Sequence, residues 1–156
     1  FKSLLGTLLH QYYEQGQFSP DQSSIKLRLI EAGFAQQDLD QQAGFITHML
    51  SQTQQDPQFD WLFKVRKSTQ VEAEFIVDNR SIIIDRLFIA DDVLWIIDFK
   101  TATQSEHESV DQFVNRQKLA HTKQLLFYKQ ALANIYSNDI QCALYCPAVQ
   151  KIIQID

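Results

Sequence analysis

Only two cysteines, Cys142 and Cys146, occur in the 156 residues. They lie four positions apart in what reads as one strand, so about 13 Å separates them at ~3.3 Å per residue, too far for a disulfide. Two thiols hold neither an iron–sulfur cluster nor a Cys-only zinc site unaided, so no iron–sulfur cofactor is expected. The expected state is a pair of small buried hydrophobes in a reducing cytoplasm. No apolar run approaches the ~18 residues of a membrane span, and no membrane partner is expected. Positive charge is scarce too: 14 Lys and Arg against 19 Asp and Glu leave a net −5. Non-specific nucleic-acid binders are normally basic, so any contact with DNA must rest on a local patch. No secretory leader is expected, because Lys2, Gly6 and His10 interrupt the first apolar stretch. The chain starts at Phe1 rather than Met, and a piece cut from a longer chain is expected.

What is present is an ordinary globular balance, 45% hydrophobic and 21% charged, which argues against disorder and supports a core. One domain over 1–156 is expected, with a mainly helical part at 1–67 and a sheet-and-helix part at 68–156. Residues 1–16 read as a helix with Leu5, Leu8, Leu9 and Tyr12 on one stripe. Gly6, His10 and Glu14 fall four apart on another face. Residues 23–32 read as a short helix capped by Ser23 or Ser24 and ended by Gly33. A longer helix over 36–55 turns Leu39, Ala43, Ile46 and Leu50 inward. Phe59, Trp61, Leu62 and Phe63 then form a satellite core.

The period changes after that. Segments 68–77, 80–90 and 93–101 are rich in Val, Ile and Phe, separated by Asp78-Asn79 and Asp91-Asp92, which predicts a three-stranded antiparallel meander. A polar stretch over 102–114 is expected to be mobile. A helix over 117–136, with Leu125, Leu132 and Tyr136 inward, precedes two final strands at 141–146 and 149–155. The fold class is therefore α/β, a mixed sheet flanked by helices.

Two-residue hairpin loops fix the register of the meander. A turn at Asp91-Asp92 sets Asp85 opposite Asp98 and Ile83 opposite Lys100, and a turn at Asp78-Asn79 sets Glu72 opposite Asp85 and Glu74 opposite Ile83. Alternation then predicts two rows on one face, Glu72–Asp85–Asp98 and Glu74–Ile83–Lys100. Taken singly, each of these residues is an ordinary solvated side chain or a Lys–Glu pair. Taken together, facing carboxylates among Phe75, Ile82, Ile84, Ile96 and Ile97 repel one another and need compensation. A divalent cation supplies it, and hard oxygens suit Mg²⁺ or Mn²⁺.

The run Ile84-Asp85-Arg86, followed by Ile97-Asp98-Phe99-Lys100-Thr101, resembles the signature of the PD-(D/E)xK nucleases. More narrowly it is similar to the RecB/AddA-type exonuclease domain at the C-terminus of UvrD/Rep-like helicase–nucleases. Gly6-Thr7-Leu8-Leu9-His10 with Glu14, Glu72-Ala73-Glu74-Phe75, and Gln124-Leu125-Leu126-Phe127-Tyr128 resemble that family's leading helix, first core strand and Gln-x-x-x-Tyr helix, in family order. The likeness runs from about Gly6 to Pro147. It implies a restriction-endonuclease-like core with helices on both faces of a mixed sheet. It implies that Asp85, Asp98, the backbone carbonyl of Phe99 and His10 hold the metal. Lys100 would orient or activate water and stabilise phosphorane charge, and Gln124 and Tyr128 would line a DNA-strand channel. The motif acid is Glu72 or Glu74: aligning Phe75 with the family phenylalanine selects Glu72. His10 is alternatively a plain helix His–Glu pair with Glu14. His121, one turn before Gln124, matches no motif and stays outside the candidate set. The family usually has glycine where this chain has Ile83, a bulky neighbour for Lys100 in the register above.

The expected function is metal-dependent hydrolysis of DNA phosphodiesters. The resemblance makes it an exonuclease on single strands, delivered by a helicase domain in the same full-length chain during DNA repair and recombination. The alternative is an inactive nuclease-like fold that binds DNA or bridges subunits.

Overall fold

Ser3 opens the first helix by accepting a hydrogen bond from the Gly6 N–H at 3.0 Å, and Gly16 closes it in the left-handed conformation that its φ of 65° requires. The computed structural model describes residues 3–156. It divides into two units, one ending at Lys64 and one running from Val65 to Asp156. Among the described residues no helix is long and apolar enough to cross a membrane.

The first unit is helical: α1 (Leu4–Gln15), α2 (Gln22–Glu31), α3 (Leu39–Gln55, entered through a 3-10 turn at Gln36–Asp38) and α4 (Phe59–Phe63). The cap of α2 is Asp21, whose carboxylate accepts from Ser24 N–H at 2.7 Å, not Ser23 or Ser24 as expected. An aspartate at this position also favours the positive end of the helix dipole. Phe18, Phe59, Phe63 and Tyr13 pack edge-to-face and stacked into an aromatic cluster that shares Phe59 and Phe63 with the expected satellite core and adds Tyr13 and Phe18 to it.

The second unit holds β1 (Gln70–Val77), β2 (Arg80–Ala90), β3 (Val93–Phe99), α5 (Val110–Leu132), β4 (Asp139–Cys146) and β5 (Lys151–Ile155). The five strands lie in the order β1-β2-β3-β4-β5. All neighbours are antiparallel except β3 and β4, which are parallel and joined through α5, the crossover that a parallel pair needs. Both predicted hairpin loops form. Asp78, Asn79, Asp91 and Asp92 all have φ between 50° and 66°, as a two-residue turn matched to strand twist demands. Phe113, Leu125, Ala131 and Leu132 of α5 pack on one face of the sheet against Ile82, Ile84, Leu87, Leu94, Ile96, Cys142 and Leu144.

Helix α5 starts seven residues before the expected Gln117, because Ser109 and Gln112 cap each other reciprocally. The preceding stretch, expected to be mobile, is tied down. The Glu108 carboxylate takes a bidentate bond from Arg116, 2.8 and 2.9 Å, and accepts from the Ser105 N–H at 3.0 Å. Cys142 and Cys146 are both free and buried in β4, and burial pushes their thiols up to about 11 and about 12.

Candidate active site

The acids Asp85 and Asp98 sit where two strands part. The β2–β3 ladder follows the predicted register from Ala90↔Val93 to Arg86↔Ile97 and stops there. Beyond that point β2 continues against β1, while β3 continues against β4 through Asp98↔Leu144 and Phe99↔Tyr145. The Asp85 carboxylate bridges the opening, accepting from the Phe99 N–H at 2.8 Å. Because the pair at Ile83 and Lys100 never forms, Ile83 does not crowd the lysine: it is 52% exposed and faces Glu74.

Alternation fails at the same place. Ile82 and Ile84 belong to the core under α5, and so does Leu87, three residues further on. One step of strand alternation is therefore lost between Ile84 and Leu87. On β1 the matching irregularity is Glu72, whose φ is 48°. The backbone register is kept because both strands slip together, but the expected single-face rows do not form. Glu74 and Ile83 lie outside the core, and the Glu74 carboxylate accepts from Ser81 Oγ at 2.7 Å. Glu72 sits level with Asp85 with an exposed side chain. The structure thus brings Asp85, Asp98 and Lys100 together and leaves Glu74 apart.

Asp98 and Lys100, two apart on the end of β3, project to the same side, and Lys100 Nζ lies 2.8 Å from Asp98 Oδ2. Burial, together with the neighbouring Asp85 carboxylate, pushes Asp98 up to about 6 despite the opposing pull of Lys100. A pair of hard carboxylates that resists carrying two charges is a fitting donor set for a divalent cation, which relieves the repulsion between them.

Helix α5 supplies the other wall. Tyr128 is buried, and burial with the charges of Asp98 and Asp85 raises its phenol above the ordinary value. Gln124, one turn earlier, is exposed. His121, two turns from Tyr128 on the same side, is half-buried. Burial and the adjacent Lys100 charge push it down to about 4, so it is a neutral imidazole at neutral pH. No motif pointed to His121; the signal in the sequence was its helical spacing of seven from Tyr128. In the first unit, His10 is buried in α1 and its Nδ1 lies 2.5 Å from Glu14 Oε1. A carboxylate on Nδ1 fixes the tautomer that leaves Nε2 basic.

A mixed five-stranded sheet with a crossover helix on one face, and an acid pair where the central hairpin opens, is a restriction-endonuclease-like architecture. The model of the PD-(D/E)XK nuclease superfamily matches residues 2–152, and the chain belongs to that superfamily. It is thus a nuclease by class, a phosphodiester hydrolase of the kind that acts on DNA with divalent metal. No curated protein matches it at a significant level.

Proposed function

We propose that the domain is a Mg²⁺- or Mn²⁺-dependent exonuclease that degrades single-stranded DNA delivered by a helicase in the same full-length chain, in DNA repair and recombination. The observation that carries this reading is the cluster of Asp85, Asp98 and Lys100 at the opening of the β2–β3 hairpin. The reading assigns Asp85, Asp98 and the Phe99 carbonyl as metal ligands, with His10 as a further ligand through Nε2. Once bound, the cation supplies Lewis acidity at the phosphoryl oxygen and a water of lowered pKa. Asp98 holds the Lys100 ammonium in place. Lys100 donates to the water or to a non-bridging phosphate oxygen, meeting the charge that grows in the transition state. Gln124 and Tyr128 donate to the strand from α5, the Tyr128 phenol remaining protonated. Glu72 is kept as a catalytic acid through its level with Asp85, with Glu74 as the secondary candidate.

The deciding experiment is degradation of end-labelled single-stranded DNA with Mg²⁺ or Mn²⁺, alongside Asp98→Ala. Cleavage that needs the metal and vanishes in the variant, by at least ~100-fold, is the expected result. An Asp98→Ala protein that cleaves like the native one rules the assignment out. A catalytically silent DNA-binding module is the second reading, and the outward carboxylate of Glu72 is the observation on its side. Glu72→Gln separates the two: a loss of cleavage places the acid in the chemistry, whereas DNA binding with no cleavage in any variant favours the silent module.

A further inference from the structure

A second cationic position lies one row along the sheet from the acid pair. Phe99 of β3 pairs with Tyr145 of β4, and the Lys100 N–H continues that ladder by donating to the Tyr145 carbonyl at 2.9 Å. The next residue of β4, Cys146, pairs with Lys151, the first residue of β5. Lys100, Cys146 and Lys151 therefore stand in one row across three strands. Two interstrand steps put the backbones of Lys100 and Lys151 about 10 Å apart. Cys146 and, at the alternate positions of β5, Ile153 and Ile155 point into the core beneath α5. Lys151 shares that parity and so lies on the same side as Lys100.

Lys118 of α5 lines the same groove as Lys151. The two lysines, with Val114 and residues Ile152–Gln154, line an open groove of about 330 Å³ that ends near Asp156. Asp156 lies five steps along the chain from Lys151, about 16 Å at ~3.3 Å each, so the groove is basic at the end near Lys100 and acidic at the far end. Lys118 and Lys151 are both exposed, and neither enters an ion pair among the described residues. Arg116, by contrast, is spent on Glu108. Helix α5 carries four cations against one acid, Asp111, in a chain whose net charge is −5. The groove thus sits on the element where positive charge is concentrated.

We propose that Lys118 and Lys151 form a phosphate-binding subsite for the backbone of the nucleic-acid strand, held next to the reacting phosphodiester on the β5 side of Lys100. This rests on the nuclease reading for what occupies the row at Lys100. The subsite would take phosphates of any sequence, because two lysines read charge and not bases.

The test is binding of a fluorescein-labelled oligothymidylate to the protein by fluorescence anisotropy, in Ca²⁺, over a series of NaCl concentrations. Each phosphate contact on a single strand contributes about 0.7 to the slope of log affinity against log salt, so K118A/K151A should lower the slope by ~1.4 and weaken binding roughly tenfold at low salt. K123A, which removes an exposed lysine elsewhere on the same helix, is the control and should leave most of the slope in place. Equal slopes in K118A/K151A and the native protein overturn the subsite. An equal loss in K123A also overturns it, by reducing the effect to bulk charge, and so does a native protein that fails to bind the oligonucleotide at low salt. Circular dichroism of the double variant checks that both exposed substitutions leave the fold intact. A native protein that binds with the expected slope change but cleaves nothing refutes the catalytic reading and leaves the subsite standing.

Discussion

Asp98 is held where burial and the Asp85 carboxylate both oppose its charge, so the metal-free protein carries a cost at neutral pH. The folded value near 6 lies above the ordinary carboxylate value expected in the unfolded chain. This group's contribution to stability is therefore complete below about pH 4 and is lost as pH rises through about 6. A difference of this size corresponds to ~3 kcal/mol. Asp98→Asn mimics the protonated acid. In chelator, it should melt higher than the native protein near pH 8, by about half that margin near pH 5, and converge with it only below about pH 4, while losing cleavage. A melting temperature below native near pH 8 would show that the ion pair with Lys100 outweighs the repulsion. The thiols give a second test at this scale. Burial raises Cys142 and Cys146 far above the pH of an ordinary thiol assay, and reactivity follows the thiolate. Ellman's reagent at pH 8 should label neither in the native protein and both in denaturant. Fast native labelling of either one would contradict its burial.

At the level of elements, α5 depends on its first turn. The Ser109–Gln112 box closes the helix start, and Arg116 two turns on anchors the loop before it. Ser109→Ala should lower stability by ~1 kcal/mol in denaturant melts, and Arg116→Ala, which breaks an exposed pair, should lower it less. The reverse order would mean that the loop, not the cap, holds the helix. This cap was written in the sequence as Ser-Val-Asp-Gln but was hidden in a polar stretch without an apolar stripe. Register was more legible than facing. Two short polar turns were enough to pair Arg86 with Ile97 and Glu74 with Ile83. What they could not convey was the left-handed backbone at Glu72, since glutamate gives no local sign of a positive φ. That single residue marks where alternation slips, and it moves Glu74 and Ile83 off the face that holds Asp98. The acid pair itself survived the error, because the ladder holds its register as far as Arg86 and Ile97, one position short of the acids, and the Asp85 carboxylate then closes the gap to the Phe99 N–H. His121 was left outside the candidate set because its place beside Lys100 depends on where α5 lies on the sheet, a tertiary relation.

For the molecule as a whole, a net charge of −5 and a polyanionic substrate oppose each other unless positive charge is added at the site. The fixed cations of α5 answer part of this, and bound metal answers the rest. Metal binding should then be visible as stability, since a ligand held only by the folded state adds RT ln(1 + [L]/Kd), about 2.7 kcal/mol at a hundredfold excess over Kd. For a chain of this size that is a rise in melting temperature of roughly 5–10 °C. Protons compete for Asp98, whose carboxyl is half protonated near pH 6. The rise should therefore be largest near pH 8, shrink as pH falls through about 6, and be absent in Asp98→Ala at every pH. Differential scanning fluorimetry with Mg²⁺ or Mn²⁺ against chelator reads all three directly. A rise that is independent of pH, or that persists in Asp98→Ala, would assign the bound cation to other acids of the surface and leave the pair at the hairpin opening without its metal.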